Sequence, residues 1–334
     1  MKIVFAGTPT FSAFHLDLLV KSENEVAAVL TQPDRESGRG KKINVSPVKA
    51  LAQENQILVL QPKSLKKNTD VIDQLKEIEP ELILVVAYGL ILPKEFINLP
   101  KFGCINVHAS LLPRWRGAAP IERTLMEGDA EGGITYMRMN EGLDTGPVMK
   151  LLPCPIESEE NSESLEKKYQ NLSELNLLKF LEDISSRKVA ELGQDSSKAT
   201  YAEKIERQET EILWDSESAE LIERKIRALF PKYGSFTFLG NKRVKILNAS
   251  LEDAPKELSP GKIYTSDEGH LYVGCLDRKC LRIHRLQFES KQLVEAKDFI
   301  KGNKEKIIQI KKFSRLRLLM KTQPRFITWK KKQT

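Results

Sequence analysis

The sequence contains few of the residues that build disulfides and metal sites. Its 334 residues include only four cysteines and four histidines. The cysteines are scattered, and no Cys-x-x-Cys pair or other metal-ligand spacing occurs, so neither a zinc module nor a disulfide framework is indicated. Unpaired thiols of this kind are typical of a cytoplasmic protein. We therefore predict a cytoplasmic location and no metal.

Long hydrophobic runs are also missing. The longest apolar stretches, such as residues 82–87, are far shorter than the roughly 20 residues needed to cross a bilayer. The chain opens on an apolar, strand-like segment with no charged region before it, which argues against a secretory signal. We expect a monomer with no membrane partner.

The first turn lacks the glycine pattern of dinucleotide-binding proteins. Only Gly7 follows the strand-like residues 2–6, so a GxGxxG motif is absent and a dehydrogenase is disfavoured. Helical spacing over 12–20 and a second apolar strand over 26–30 come next. This order predicts the start of a parallel, doubly wound α/β sheet.

The length and the distribution of polar residues indicate two domains. We place a catalytic domain at 1–186, a polar linker at 187–207, a second domain at 208–302 and a basic extension at 303–334. Between 235 and 286, five short alternating segments separated by turn residues predict a small, OB-like β-barrel. The extension is rich in lysine and arginine, with Phe326 and Trp329 among them. It is interpreted either as a solvated tail or as a phosphate-binding addition.

The stretch GCINVHASLLPRWRGAAP, residues 103–120, concentrates polar groups after an apolar run. If it begins as a strand, Asn106 and His108 project from the same face, because residues two apart do so. A second segment, MNEGLDTGP, places Asp144 in a turn between glycines. A structural histidine and a turn-forming asparagine are the alternatives for the first two. Together, however, a carboxamide, an imidazole and a carboxylate suit acyl transfer.

These two segments resemble the signature of the folate-dependent formyltransferases, in the forms NVHASLLPRWRGAAPI and EGLDTGPV. The wording SLLPRWRGAAPI is most similar to the methionyl-tRNA formyltransferase branch. The resemblance continues in KIVFAGTP, TQPDRESGRGKK, VVAYGLILP and TYAEKIERQETEILW, and it extends from residue 1 to about residue 302.

The resemblance implies a Rossmann-like formyltransferase domain with a parallel-rich sheet, followed by an OB-like β-barrel domain. It implies formyl transfer from 10-formyltetrahydrofolate to the α-amino group of methionyl-initiator tRNA. Asn106 and His108 would stabilise the developing oxyanion, and Asp144 would hold the His108 tautomer and help move the proton. The residues expected to contact the folate lie on two segments: Val86, Tyr88, Gly89, Leu90 and Leu92, then Ser110, Leu111, Leu112 and Pro113.

Residues 31–47, here called the basic segment, carry cations between flexible glycines. Composition alone fits either a solvated loop or an arm that binds phosphates. In the resembled branch, the equivalent insertion enters the RNA acceptor arm. The tRNA-binding candidates are Arg35, Arg39, Lys41 and Lys42, with Arg39 the strongest.

Two other functions stay open from the sequence. One is a formyltransferase for a small amine, such as a sugar nucleotide or glycinamide ribonucleotide, or a formyl-folate hydrolase. The other is a non-enzymatic RNA-binding protein with a degenerate formyltransferase fold. The second domain and the basic segment argue against a small substrate, and the intact Asn106, His108 and Asp144 argue against a degenerate site.

Overall fold

The structure is a computed structural model that describes residues 1–37, 42–66, 68–253, 257–302 and 312–314. The chain divides into two compact units. The first comprises Met1–Thr210 and Glu220–Ser235, and the second comprises Glu211–Ala219 and the chain from Phe236 onward. In the described residues, no helix has the length and apolar character required to span a membrane.

The first unit alternates strands and helices. Its strands are β1 (Lys2–Gly7), β2 (Glu25–Leu30), β3 (Arg35–Ser37), β4 (Lys42–Asn44), β5 (Leu58–Leu60), β6 (Leu82–Val86), β7 (Cys104–His108), β8 (Arg116–Gly117), β9 (Glu131–Arg138), β10 (Val148–Pro155) and β11 (Tyr201–Ala202). The helices are α1 (Thr10–Val20), α2 (Pro47–Glu54), α3 (Thr69–Ile78), α4 (Lys94–Ile97), α5 (Pro120–Glu127), α6 (Ser162–Ser185) and, from its second residue onward, α7 (Ala219–Leu229).

Seven of these strands form one sheet in the order β10-β9-β7-β6-β1-β2-β5. The pairings among β5, β2, β1, β6 and β7 are parallel, whereas β9 and β10 are antiparallel. All five residues of β6 are buried, as a central strand covered on both faces requires. The predicted parallel-rich, Rossmann-like sheet is confirmed.

Strand β10 is not among the strands predicted from the sequence. It pairs antiparallel with β9 and contains Pro153 and Pro155. Proline has no N–H to donate, so its presence argues against a central strand but is compatible with an edge strand. Because β10 lies at the end of the sheet, both prolines are accommodated.

The basic segment contains more regular structure than its composition suggests. Strands β3 and β4 pair antiparallel, with Arg35 opposite Asn44 and Ser37 opposite Lys42. Residues 38–41, among them the candidates Arg39 and Lys41, lie outside the described residues.

Residues 187–207, predicted as a linker, are part of the first unit. Strand β11 pairs in parallel with β8, joining Tyr201 to Arg116 and Ala202 to Gly117. Their polar composition therefore reflects a segment that packs on the first unit mainly through hydrogen bonds. The domain boundaries stay a prediction.

The second unit is built on an antiparallel sheet. Its strands are β12 (Ser235–Leu239, from its second residue onward), β13 (Lys242–Glu252), β14 (Ile263–Thr265), β15 (Leu271–Gly274), β16 (Cys280–Phe288), β17 (Leu293–Glu295) and β18 (Phe313–Ser314). The order is β14-β15-β16-β13-β12-β18, and β17 pairs with β16. The long β13–β16 pair bends at irregular registers near Asn248, as a strand in a curved sheet does. The predicted OB-like second domain is confirmed as an antiparallel, barrel-like sheet.

Two residues of the basic extension, Phe313 and Ser314, belong to this sheet, contrary to the interpretation of the extension as a solvated tail throughout. Phe313 pairs with Leu239, its N–H donates to the oxygen of Gly261 at 2.8 Å, and its ring stacks on Trp214 with centroids 5.9 Å apart. Phe313 is buried although it follows two lysines, because removing its aromatic ring from water is energetically favourable. The rest of the extension, 303–311 and 315–334, lies outside the described residues.

Candidate active site

Asn106 and His108 lie on β7, the last parallel strand before the sheet turns antiparallel. Each faces a β9 residue in register, Met137 for Asn106 and Thr135 for His108. Both side chains are buried. They project to the same side, as the two-residue spacing predicts. The strand therefore presents a carboxamide and an imidazole together at one end of the sheet.

Asp144 reaches both groups from the loop between β9 and β10. Its Oδ1 accepts a hydrogen bond from Asn106 Nδ2 at 3.3 Å, and its Oδ2 lies 3.7 Å from His108 Nδ1. Oδ2 also accepts the Gly117 N–H at 2.9 Å. Asp144 has a φ of 51°, in the left-handed region. Aspartate tolerates that region better than most residues do, although it still needs support from its surroundings.

The second ring nitrogen of His108 is held by the main chain. His108 Nε2 lies 2.9 Å from the oxygen of Trp115. A carbonyl only accepts, so Nε2 carries a proton, and neutral His108 has its lone pair on Nδ1, facing Asp144. Trp115 itself has a φ of 62°, in the left-handed region. Its carbonyl makes a closer contact to the ring than Asp144 does.

The turn after β7 is held in place by a set of side-chain contacts. Asp129 accepts from both Arg114 Nε (2.8 Å) and Arg114 Nη2 (2.6 Å), and from Trp115 Nε1 at 2.8 Å. Thr135 Oγ1 donates to Ser110 O at 2.6 Å and accepts from Leu112 N at 3.0 Å. The basic and aromatic residues of this turn are therefore structural here, and they keep the Trp115 carbonyl in place.

The predicted folate residues after β6 fall into two groups. The side chains of Val86, Tyr88 and Leu92 lie in the hydrophobic core, whereas Gly89 is exposed and Leu90 is half-buried. A ligand at this loop would therefore meet its main chain, Gly89 and Leu90. Gly89 has a φ of 82°, and a Cβ there would lie 2.4 Å from Gln32 Nε2.

The loop is tied to its neighbours through one carbonyl. The oxygen of Tyr88 accepts from Thr8 Oγ1 at 3.1 Å and from Gln32 Nε2 at 3.2 Å. The Tyr88 hydroxyl is buried with no partner among the described residues, and burial raises its pKa. In the other predicted folate segment, Ser110 and Leu112 are buried, whereas Leu111 and Pro113 are half-buried.

The first residues of the basic segment are held by a network of polar side chains. Lys49 Nζ binds Asp34 Oδ2 at 2.5 Å and Gln61 Oε1 at 2.8 Å, and Gln61 Nε2 donates to Asp34 Oδ1 at 2.9 Å. The hydrogen bond from Lys49 is the main reason that the pKa of Asp34 is lowered. Arg35 Nη2 donates to Gln32 Oε1 at 2.6 Å. The N-terminal part of the segment is thus tied through Asp34 to Lys49 of α2 and to Gln61.

Sequence reasoning missed the residues that hold these pieces together. Thr200 Oγ1 accepts from Trp115 N at 2.9 Å, and Gln194 Nε2 donates to the oxygens of Asp144 (2.8 Å) and Gly146 (2.7 Å). Both residues lie in the segment predicted as a linker. Thr200 opens the segment TYAEKIERQETEILW, which resembles the family, but the residues around Gln194 give no signal that separates it from a surface residue.

Comparison with known proteins identifies the family of both domains. The formyl transferase family matches residues 1–181, and the formyl transferase C-terminal domain matches residues 204–304. The chain belongs to the formyl transferase family. It is 42% identical over 307 residues to the methionyl-tRNA formyltransferase of Pseudoalteromonas translucida, covering 91% of this chain and 95% of that protein. It is also 42% identical to that of Coxiella burnetii, covering 92% of this chain and 97% of that protein.

Solved structures share the fold at lower identity. The sugar 3N-formyl transferase WlaRD, crystallised with dTDP and 5-N-formyl-THF, superposes with a TM-score of 0.63 at 19% identity, covering 87% of this chain and 99% of that one. HypX from Aquifex aeolicus, in complex with tetrahydrofolic acid, gives 0.60 at 16% identity, covering 93% of this chain and 48% of that one. Family membership and the two-domain fold are therefore established, and the enzyme class is that of a formyl transferase.

Proposed function

We propose that this chain transfers the formyl group of 10-formyltetrahydrofolate to the α-amino group of methionyl-initiator tRNA, in the cytoplasm, to give formyl-Met-tRNA for translation initiation. The observation that carries this proposal is the convergence of Asn106 and His108 on the Asp144 carboxylate, within 3.3 and 3.7 Å. It occurs in a chain 42% identical, over nearly its whole length, to methionyl-tRNA formyltransferases.

Asn106 would act on the charge that develops in the reaction. His108 would add to this only once it is protonated at Nδ1, because its Nε2–H is already bonded to the Trp115 oxygen. When the amine nitrogen attacks the formyl carbon, negative charge grows on the formyl oxygen. Asn106 Nδ2 has two hydrogens, and within the part of the chain that the structure describes its hydrogen bond goes to Asp144 Oδ1, so the second hydrogen can point to that oxygen. A preorganised donor of this kind lowers the barrier by on the order of 2.7–4 kcal/mol.

Asp144 and His108 would manage the proton. The new C–N bond forms as the bond from carbon to the folate N10 breaks, so one proton must leave the amine and one must reach N10. Neutral His108 has a lone pair at Nδ1, and the imidazolium formed by protonation there would lie between the Asp144 carboxylate and the Trp115 carbonyl. This environment stabilises the charged ring while the proton is in transit.

The surrounding segments would bind the two substrates. Gly89 and Leu90 would meet the pterin ring, and the half-buried Leu111 and Pro113 would line the same co-substrate. The cations Arg35, Arg39, Lys41 and Lys42 of the basic segment would contact tRNA phosphates, which should make binding dependent on salt. Lys49 and Asp34 would keep the base of this segment in place.

A transfer assay tests the proposal. Purified enzyme is incubated with 10-formyltetrahydrofolate labelled in the formyl group and either methionyl-initiator tRNA or a dTDP-amino sugar, and the label on each acceptor is counted. We expect label on the tRNA only. Label on the sugar nucleotide alone would assign a small-amine formyltransferase, and formate release without an acceptor would assign a hydrolase.

The catalytic assignment has its own control. Asn106→Ala and His108→Ala should each reduce transfer to the tRNA while leaving tRNA binding in a filter assay nearly unchanged. If either variant keeps the wild-type rate, that residue has no part in the chemistry.

A further inference from the structure

The Asp144 loop is held by a residue more than forty positions away, Gln194. Its amide nitrogen has two hydrogens and uses both, on the oxygens of Asp144 (2.8 Å) and Gly146 (2.7 Å). Its amide oxygen accepts from Arg116 Nε at 3.1 Å and Arg116 Nη2 at 2.8 Å. Every donor and acceptor position of this side chain is occupied.

Arg116 sets the direction of the amide. Its side chain is buried, and its main chain is fixed by pairing with β11 and by the bond from its N–H to Thr200 O at 2.9 Å. A guanidinium only donates, so it requires the amide oxygen of Gln194 on its side. The amide N–H groups must then face the Asp144 loop. The orientation of Gln194 is therefore determined by Arg116.

The loop needs this support at the residue that carries the carboxylate. Asp144 lies in the left-handed region, with a φ of 51°, which is disfavoured for a residue with a Cβ. The bond from Gln194 holds its carbonyl, and the bond from Gly117 N holds its Oδ2. The main chain and the carboxylate of Asp144 are thus fixed from separate sides.

The rest of the loop is supported from within and by two contacts to other segments, the Met139 N–H to the Cys104 oxygen at 2.8 Å and the exposed ion pair of Lys94 Nζ with Glu141 Oε1 at 3.1 Å. Asn140 Oδ1 accepts from Gly142 N at 3.1 Å and from Thr145 Oγ1 at 2.8 Å. Gly146 packs so closely that a Cβ there would lie 1.9 Å from the oxygen of Arg138. These contacts give the loop its shape, whereas Gln194 fixes the Asp144 and Gly146 carbonyls to the segment after α6.

We propose that Gln194, oriented by Arg116, is a positioning residue that holds Asp144 against His108 and Asn106. It acts through Asp144 and touches neither substrate. The inference rests on the proposed role of Asp144 in formyl transfer. It assigns the segment 194–202 a part in catalysis that its linker-like composition does not suggest.

Gln194→Glu is the sharpest test because it keeps the length and the partner Arg116. The glutamate has a carboxylate oxygen where Gln194 has its NH2 group. That oxygen would face the carbonyl oxygens of Asp144 and Gly146 and repel them. We expect kcat for Met-tRNA formylation to fall at least about tenfold, with KM for both substrates within about threefold. The pH profile of kcat should also shift, because the distance between Asp144 and His108 changes. Gln194→Met, which removes the donors without adding charge, should give the same pattern.

The matched control is Ser197→Ala. Ser197 is exposed in the same segment, and its hydroxyl binds Asp195 Oδ1 at 2.6 Å, away from Asp144. This variant should keep the wild-type kcat and pH profile. Amide hydrogen exchange of peptides covering 139–147 should accelerate in Gln194→Glu and Gln194→Met but not in Ser197→Ala.

A double-mutant cycle separates positioning from other roles. If Gln194 acts through Asp144, Gln194→Glu should slow the single-turnover rate of Asp144→Asn by no more than about twofold. A further tenfold loss in that background, a loss confined to KM, or unchanged exchange in 139–147 would overturn the inference.

The proposed function and this inference fail differently. Wild-type activity in Asp144→Asn would show that Asp144 has no part in the chemistry. It would also overturn the role proposed for Gln194. Wild-type kcat in both Gln194 variants, beside an impaired Asp144→Asn, would overturn the role of Gln194 alone.

Discussion

His108 and Trp115 are joined by a hydrogen bond of 2.9 Å between the ring Nε2 and a main-chain oxygen. Because Trp115 is held by Asp129 and Thr200, the imidazole is oriented by the turn that follows its own strand. Asp144 approaches the other ring nitrogen from a different loop. The candidate site thus separates two tasks, since the turn sets the tautomer of the ring and the loop supplies the negative charge.

Replacing His108 should stop the chemistry without unfolding the protein. We expect His108→Ala to lower kcat at least about a hundredfold, because the group that carries the proton from the amine to the folate nitrogen is lost. tRNA affinity, measured by filter binding, should change little. His270→Ala, which removes a histidine from the second unit, is the control and should keep wild-type turnover. Normal kcat in His108→Ala would contradict the assignment.

Phe313 should be essential to the second unit although it lies in a basic stretch. Phe313→Ala removes a buried ring stacked on Trp214, which should cost about 3–5 kcal/mol of unfolding free energy. A chain that ends after Ser314 should unfold at the wild-type temperature. A chain that ends after Gly302 lacks Phe313 and should unfold at a lower temperature. Differential scanning calorimetry distinguishes the two. An unchanged midpoint in Phe313→Ala would show that β18 contributes nothing to stability.

His15 should make the first unit less stable in acid. It is fully buried between the oxygen of Phe11 (2.7 Å) and Ser173 Oγ (2.8 Å), and burial lowers its pKa to about 4. The folded state therefore favours the neutral ring. Its contribution is complete above the unfolded pKa near 6.5 and is lost as the pH falls toward 4.

When the pH falls from 7.5 to 5, the titration of His15 should lower the free energy of unfolding by roughly 2 kcal/mol. His15→Gln has no such titration, so its urea-unfolding free energy should fall less over the same range, although it starts lower. Equal slopes for the two proteins, followed by circular dichroism, would contradict the pKa shift.

Arg39 should contribute to tRNA binding through phosphate contacts. Arg39→Ala should raise KM for Met-tRNA. The slope of log affinity against log salt should become less steep by about 1, which corresponds to the loss of one phosphate contact. KM for the folate should stay unchanged. Lys76→Ala, which removes an exposed cation from α3, is the control. A salt slope equal to that of wild type would remove Arg39 from the interface.

Much of the fold was predictable because its signals are local. The apolar runs over 2–6 and 26–30 are properties of neighbouring residues, and the strands that they predict are present as β1 and β2. Strand β10 was missed because two prolines contradict a strand unless it lies at an edge. The edge position is a property of the sheet and not of the segment.

The sequence by itself determined the chemistry: which carboxamide, imidazole and carboxylate are present, and that two of them share a strand face. Tertiary structure alone decided that Asp144 reaches them, that the Trp115 carbonyl sets the ring tautomer, and that Gln194 and Phe313 are built into the fold. The physical reason is that each of these depends on a contact between distant segments. A contact of that kind forms only when the sheet brings the ends of its strands together. The local sequence around each residue therefore does not predict it.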